Sequence, residues 1–149
     1  MISTFDMFKI GVGPSSSHTV GPMNAGKSFI DELAAGGFLP QTTRLTVDLY
    51  GSLSLTGKGH ATDVAVIMGL AGNRPDSVDI DAMQPFMRAV ERSGLLSVAQ
   101  GEAEVPFSLS DDVIFHNEAL PRHENGMRFT AWGKEGILLS KTYYSTGGG

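Results

Sequence analysis

Two runs near the end of the chain, residues 127–132 and 137–144, are rich in apolar, β-branched and aromatic residues. Only Gly133-Lys134-Glu135-Gly136 separates them. A hairpin-length connection between two such runs predicts a pair of antiparallel strands. A sheet built on that pair needs a layer to cover its apolar face. Three earlier stretches have the right period to supply it. In residues 22–35, Ala25, Phe29, Ile30 and Leu33 repeat at helical spacing, with Pro22 suited to a first turn and Gly36-Gly37 to a stop. Residues 61–70 carry Val64, Ile67 and Met68 on one face, continued by Ala71, with Thr62 and Asp63 near the start. A third helix, capped by Asp79 or Asp81, presents Met83, Phe86, Met87 and Val90. Pro85 lies within about a turn of its start, where the missing N–H matters least, and Gly94 closes it. Residues 43–54 and 112–115 read as further strands, and 97–110 as a less regular region. The predicted class is therefore α+β, two-layer, with about three helices on a mostly antiparallel sheet.

At 149 residues the chain is predicted as a single domain, residues 1–149, large enough for a real core. Eleven basic against sixteen acidic residues give a net charge of −5 with no basic run, which speaks against nucleic acid as a partner. No apolar run approaches the roughly 20 residues of a membrane helix, and the start lacks the basic and apolar regions of a signal peptide. Zero cysteines exclude disulfides and any cysteine-ligated metal within this chain, in keeping with a cytoplasmic location.

The polar motifs point to chemistry. Gly11-Val12-Gly13-Pro14-Ser15-Ser16-Ser17-His18-Thr19-Val20-Gly21-Pro22 gathers hydroxyls and a histidine between glycine–proline pairs, just before the first helix. Such a loop can aim backbone N–H groups and hydroxyls at one anion. An ordinary cap needs one serine; three and a histidine exceed that. Gly57-Lys58-Gly59-His60 forms a second glycine-rich turn, between a strand and the second helix. Other readings fit less well. Gly21-Pro22-Met23-Asn24-Ala25-Gly26-Lys27-Ser28 satisfies the P-loop pattern letter for letter. Its context is wrong, because Gly26 and Lys27 are predicted inside a helix and no buried strand leads into them. Leu45-Thr46-Val47-Asp48 is at most a generic Walker B look-alike. The four histidines, at 18, 60, 116 and 123, lack the paired spacing of a zinc helix. His116 reads as an ordinary satisfied residue.

Phe5-Asp6-Met7-Phe8-Lys9-Ile10-Gly11, continued by Gly13-Pro14-Ser15-Ser16-Ser17-His18-Thr19, resembles the start of iron–sulfur-dependent L-serine dehydratases. Gly57-Lys58-Gly59-His60-Ala61-Thr62-Asp63, Leu120-Pro121-Arg122-His123-Glu124-Asn125-Gly126-Met127 and Tyr143-Tyr144-Ser145-Thr146-Gly147-Gly148-Gly149 follow in that family's order. The resemblance is to the N-terminal, β domain, a type also similar to the substrate-binding regulatory domain of some phosphoglycerate dehydrogenases. It implies a lyase of serine catabolism that converts L-serine to pyruvate and ammonia. It further implies a 4Fe-4S cluster whose cysteines lie in a following α domain, absent from this chain. The strand running into Gly147-Gly148-Gly149 without a finishing element agrees with a domain cut from a longer protein. On this resemblance His60 and His18 are the candidate catalytic residues, His60 preferred as base. Ser15, Ser16, Ser17, Thr19, Lys58 and Gly59 are substrate-binding candidates, and His123 and Asn125 are lining or interface residues. The expected partners are the cluster domain and L-serine; self-association is compatible with the sequence, which reveals no oligomer interface. The alternative is a non-catalytic module that senses an anion, although pure anion binding favours Arg and Lys over neutral imidazoles.

Overall fold

A computed structural model of the chain describes residues 20–51, 61–116 and 126–144. Helix α1 (Val20–Ala35) is followed by a 3-10 turn (Leu39–Gln41) and strand β1 (Arg44–Leu49). Then come helices α2 (Ala61–Leu70) and α3 (Ile80–Ser93), and strands β2 (Leu95–Val98), β3 (Ala103–Pro106), β4 (Val113–Phe115), β5 (Gly126–Gly133) and β6 (Gly136–Tyr144). The main sheet has the order β4-β1-β5-β6, and β2 and β3 form a separate two-stranded sheet. β1 runs parallel to β4 and antiparallel to β5, which pairs antiparallel with β6. The predicted two-layer α+β architecture is the observed one.

Helix ends follow local chemistry. α1 and α2 close in the same way, with Gly37 at φ +79° and Gly72 at φ +108°. Phe38 N–H reaches Leu33 O at 3.1 Å and Asn73 N–H reaches Met68 O at 3.0 Å. This left-handed termination favours residues without a Cβ. Asp79 caps α3 by accepting from Asp81 N–H at 3.0 Å, and Gly94 closes it. Alternation along β1 turns Leu45, Val47 and Leu49 into the core, where they meet Met127, Phe129 and Ala131 of β5. α1 covers them: Phe29 stacks on Phe129 with ring centroids 5.5 Å apart. α2 lies against α1 at backbone contact, since a Cβ placed on Gly26 would sit 2.7 Å from Val66 O.

Three expectations are corrected. The region 97–110, expected to be irregular, holds most of the small β2–β3 sheet. Leu96, Val98 and Val105 are fully buried in the main core, and Ala99 N–H bonds Leu70 O at the end of α2. The final hairpin turns through Lys134-Glu135 alone, because Gly133 and Gly136 already pair as strand residues. β1 is also shorter than the predicted 43–54, ending at Leu49, with residues 52–54 outside the described residues. Among the described residues no helix is long and apolar enough to cross a membrane.

Candidate functional site at one edge of the sheet

Four strand ends meet at one edge of the main sheet. Leu49 of β1 lies opposite Phe115 of β4 on one side and Met127 of β5 on the other, and Gly126 lies opposite Tyr144 at the end of β6. Backbone bonds extend this beyond the strands: Tyr50 N–H to Gly126 O at 3.0 Å and His116 N–H to Leu49 O at 2.9 Å. Residues 52–60 connect this edge to α2, and residues 117–125 connect β4 to β5. A rigid sheet edge that carries connecting segments is where binding groups are commonly built.

The candidate residues Ser15, Ser16, Ser17, His18, Thr19, Lys58, Gly59, His60, His123 and Asn125 all lie outside the described residues. What is described is where the chain resumes after each group. Val20 opens α1 directly after Thr19, Ala61 opens α2 directly after His60, and Gly126 opens β5 directly after Asn125. The two helix starts differ electrostatically. α1 has no acidic residue in its first turn, so no carboxylate of that turn opposes an anion at its positive end, whereas α2 carries Asp63 there. The P-loop letters are helical: Gly21 to Ser28 belong to α1, with Gly26 and Lys27 inside it as the spacing predicted, and Lys27 Nζ is held by Asp31 at 2.7 and 2.6 Å.

The edge holds a cluster that sequence reasoning missed. His116 Nε2 lies 2.8 Å from Asp48 Oδ1, and the His116 ring stacks on Tyr50 at 4.3 Å with planes 7° apart. The sequence presents Asp48 only as the end of a Walker B look-alike. Its spacing of two from Tyr50 puts both on one face of β1 and its extension, but their partner directly follows β4, 68 residues from Asp48. Near the same edge Tyr143 packs edge-on against Phe129. Its phenol is pushed up to about 12, first by burial and then by the charge of Glu32.

A separate cleft lies elsewhere. About 660 Å³ in volume, it is lined by Thr43, Arg44, Glu91, Ser108 and Asp112 at the opposite end of β1. Asp112 is already satisfied there, by Arg44 Nη2 at 2.9 Å and by Ser108 N–H at 2.8 Å. Among the described residues no group of three or more His, Cys, Asp or Glu could hold a metal ion.

The family profile described as serine dehydratase beta chain matches residues 3–149. Over 149 residues the chain is 67% identical to L-serine dehydratase TdcG and 60% identical to L-serine dehydratase 1, both of Escherichia coli K12. It is 54% identical over 150 residues to the L-serine dehydratase of Haemophilus influenzae. Each match covers 100% of this chain and 33% of the relative, so the chain spans about a third of the length of the relatives it matches.

Proposed function

The chain belongs to the serine dehydratase beta-chain family, and on that premise we propose that it is the N-terminal domain of an L-serine dehydratase. The observation that carries this reading is similarity along the whole chain to proteins of that activity. The reaction removes the Cα proton and the β-hydroxyl of L-serine. The resulting aminoacrylate rearranges to an imine that water converts to pyruvate and ammonia. Three things are needed: a grip on the carboxylate, a base for a weakly acidic proton, and help for the departing hydroxyl.

We assign the carboxylate to Ser15, Ser16, Ser17, His18 and Thr19. Support comes from the start of α1 immediately after Thr19, where N–H groups without an intrahelical partner and the helix dipole favour negative charge and no first-turn acid opposes it. The base is assigned to His60, an imidazole suited to proton transfer near neutral pH. It directly precedes the first residue of α2. Lys58 and Gly59 are assigned to the substrate, and His123 and Asn125 to lining or interface positions. Departure of the hydroxyl is the task of a Lewis acid, which a 4Fe-4S cluster would supply. This chain has no cysteine and does not fit as the holder of such a cluster. Its ligands are proposed to lie in a partner domain.

The test uses the whole protein. Wild type is expected to release pyruvate from L-serine. His60→Ala should abolish turnover together with exchange of the Cα proton into deuterated solvent. A whole protein that binds L-serine tightly but forms no pyruvate would overturn the reading in favour of a sensing module. Retained proton exchange in His60→Ala, with exchange lost in His18→Ala, would move the base to the serine loop.

A further inference from the structure

We propose that His116 is a positioning residue, the pin of a clamp that fixes where residues 52–60 and 117–125 leave the sheet. For its effect on turnover this rests on the reading above; its effect on the backbone does not.

His116 is restrained three times over. Its main-chain N–H bonds Leu49 O at 2.9 Å, its Nε2 meets Asp48 Oδ1 at 2.8 Å, and its ring lies flat on Tyr50 at 4.3 Å. Yet the side chain is 28% exposed and Asp48 18% exposed, so neither residue fills the core. A solvated surface histidine needs none of these contacts. A carboxylate only accepts hydrogen bonds, so Nε2 carries the proton in this contact whatever the charge on the ring. The Asp48 contact therefore fixes both the tautomer and the ring orientation.

The clamp reaches three strands. Asp48 and Tyr50 belong to β1 and its extension, His116 extends β4, and Tyr50 N–H bonds Gly126 O at the start of β5. Parallel pairing brings this about: with Asp48 opposite Ile114, residue 116 follows on the same face two positions later. The chain departs at Gly51 toward Lys58, Gly59 and His60. It departs again at His116 toward His123 and Asn125, and returns at Gly126. One side chain therefore sets the starting direction of both segments that carry candidate residues. A displacement of about 1 Å in a reacting group can cost around a hundred-fold in rate, so a loosened clamp should be felt in turnover through the segments it holds.

Three variants of the whole protein separate the clamp's parts. His116→Ala removes the ring and the bond, His116→Phe keeps the stack and loses the bond, and His116→Gln keeps a donor for Asp48. Two readouts apply: hydrogen exchange of peptides covering 52–60 and 117–125, and the kinetics of pyruvate formation. In His116→Ala, exchange should speed up in both segments while α1 and α2 keep wild-type protection. Its kcat should fall roughly ten- to a hundred-fold, the range expected for a misplaced reacting group, with KM changing much less. His116→Gln should recover most of both, and His116→Phe little. Wild-type exchange in both segments of His116→Ala would overturn the proposal. So would uniform loss of protection across the domain, or a His116→Phe variant equal to wild type. If His116→Ala does not fold, the comparison of Gln with Phe decides, since both keep a bulky side chain. A wild-type protein with no turnover sinks the dehydratase reading, and the exchange measurement still decides this one.

Discussion

Gly26 and Gly69 show how much one missing methyl group can matter. They meet where α1 and α2 touch. A Cβ on Gly69 would run into Met23 O and lie 3.0 Å from Lys27 N, while one on Gly26 would meet Val66 O at 2.7 Å. The obstructing atoms are main chain and cannot rotate away. Alanine is the better helix former by about 1 kcal/mol, but overpacking a tight contact costs about 1–3 kcal/mol. With rigid backbone on the other side the upper end applies. Gly69→Ala should therefore destabilise the domain by about 2 kcal/mol, seen as a lower denaturant midpoint with an unchanged slope. A variant as stable as wild type, or more so, would mean that helix propensity decides and the close crossing does not. Spacing alone located Gly26 inside a helix. It did not say why a glycine stands there, because the reason is the backbone of another helix.

The same crossing explains, at the scale of the element, why the P-loop letters are misleading. A phosphate-binding loop works because its backbone N–H groups are free and converge on the anion. Gly21 to Ser28 lie instead in α1, where N–H groups past the first turn are bonded within the helix, and Lys27 is paired with Asp31. Calorimetry should find no magnesium-dependent binding of ATP or GTP at physiological concentrations; micromolar affinity would refute this. The three helices were legible in advance because their ends are local chemistry, as Asp79 and Gly94 illustrate for α3. The β2–β3 sheet was not. Its turn uses Ala99 and Gln100 at φ +52° and +57°, residue types that do not announce a left-handed backbone, with Gly101 at φ +89° the single local cue. The motif segments could be picked out because serine, glycine and histidine are crowded together in them. The Asp48–His116 clamp could not, since parallel pairing of β1 with β4 is a non-local decision.

For the molecule as a whole, the sheet's two faces have different company. Phe29, Ile30 and Leu33 of α1 and Ile67 and Leu70 of α2 share one core with Leu45, Val47 and Phe129. The opposite face is a polar lattice, with Trp132 Nε1 donating to Thr46 Oγ1, Thr130 beside Ser140, and Arg128 donating to Thr142. With this core, the 149-residue chain is predicted to fold when produced alone. Folding and catalysis separate at this point. In the mechanism proposed above, the β-hydroxyl leaves with the help of a Lewis acid held by a partner domain, because hydroxide is a poor leaving group. A domain without cysteine has no thiolate to bind iron–sulfur centres. The isolated chain should therefore be a folded, colourless, iron-free protein that forms no pyruvate from L-serine, even after incubation with iron and sulfide. Adding those reagents to the whole protein should instead give a brown, active enzyme. Pyruvate formation by a metal-stripped preparation of the isolated chain would overturn this division of labour, because base and carboxylate grip alone would then suffice.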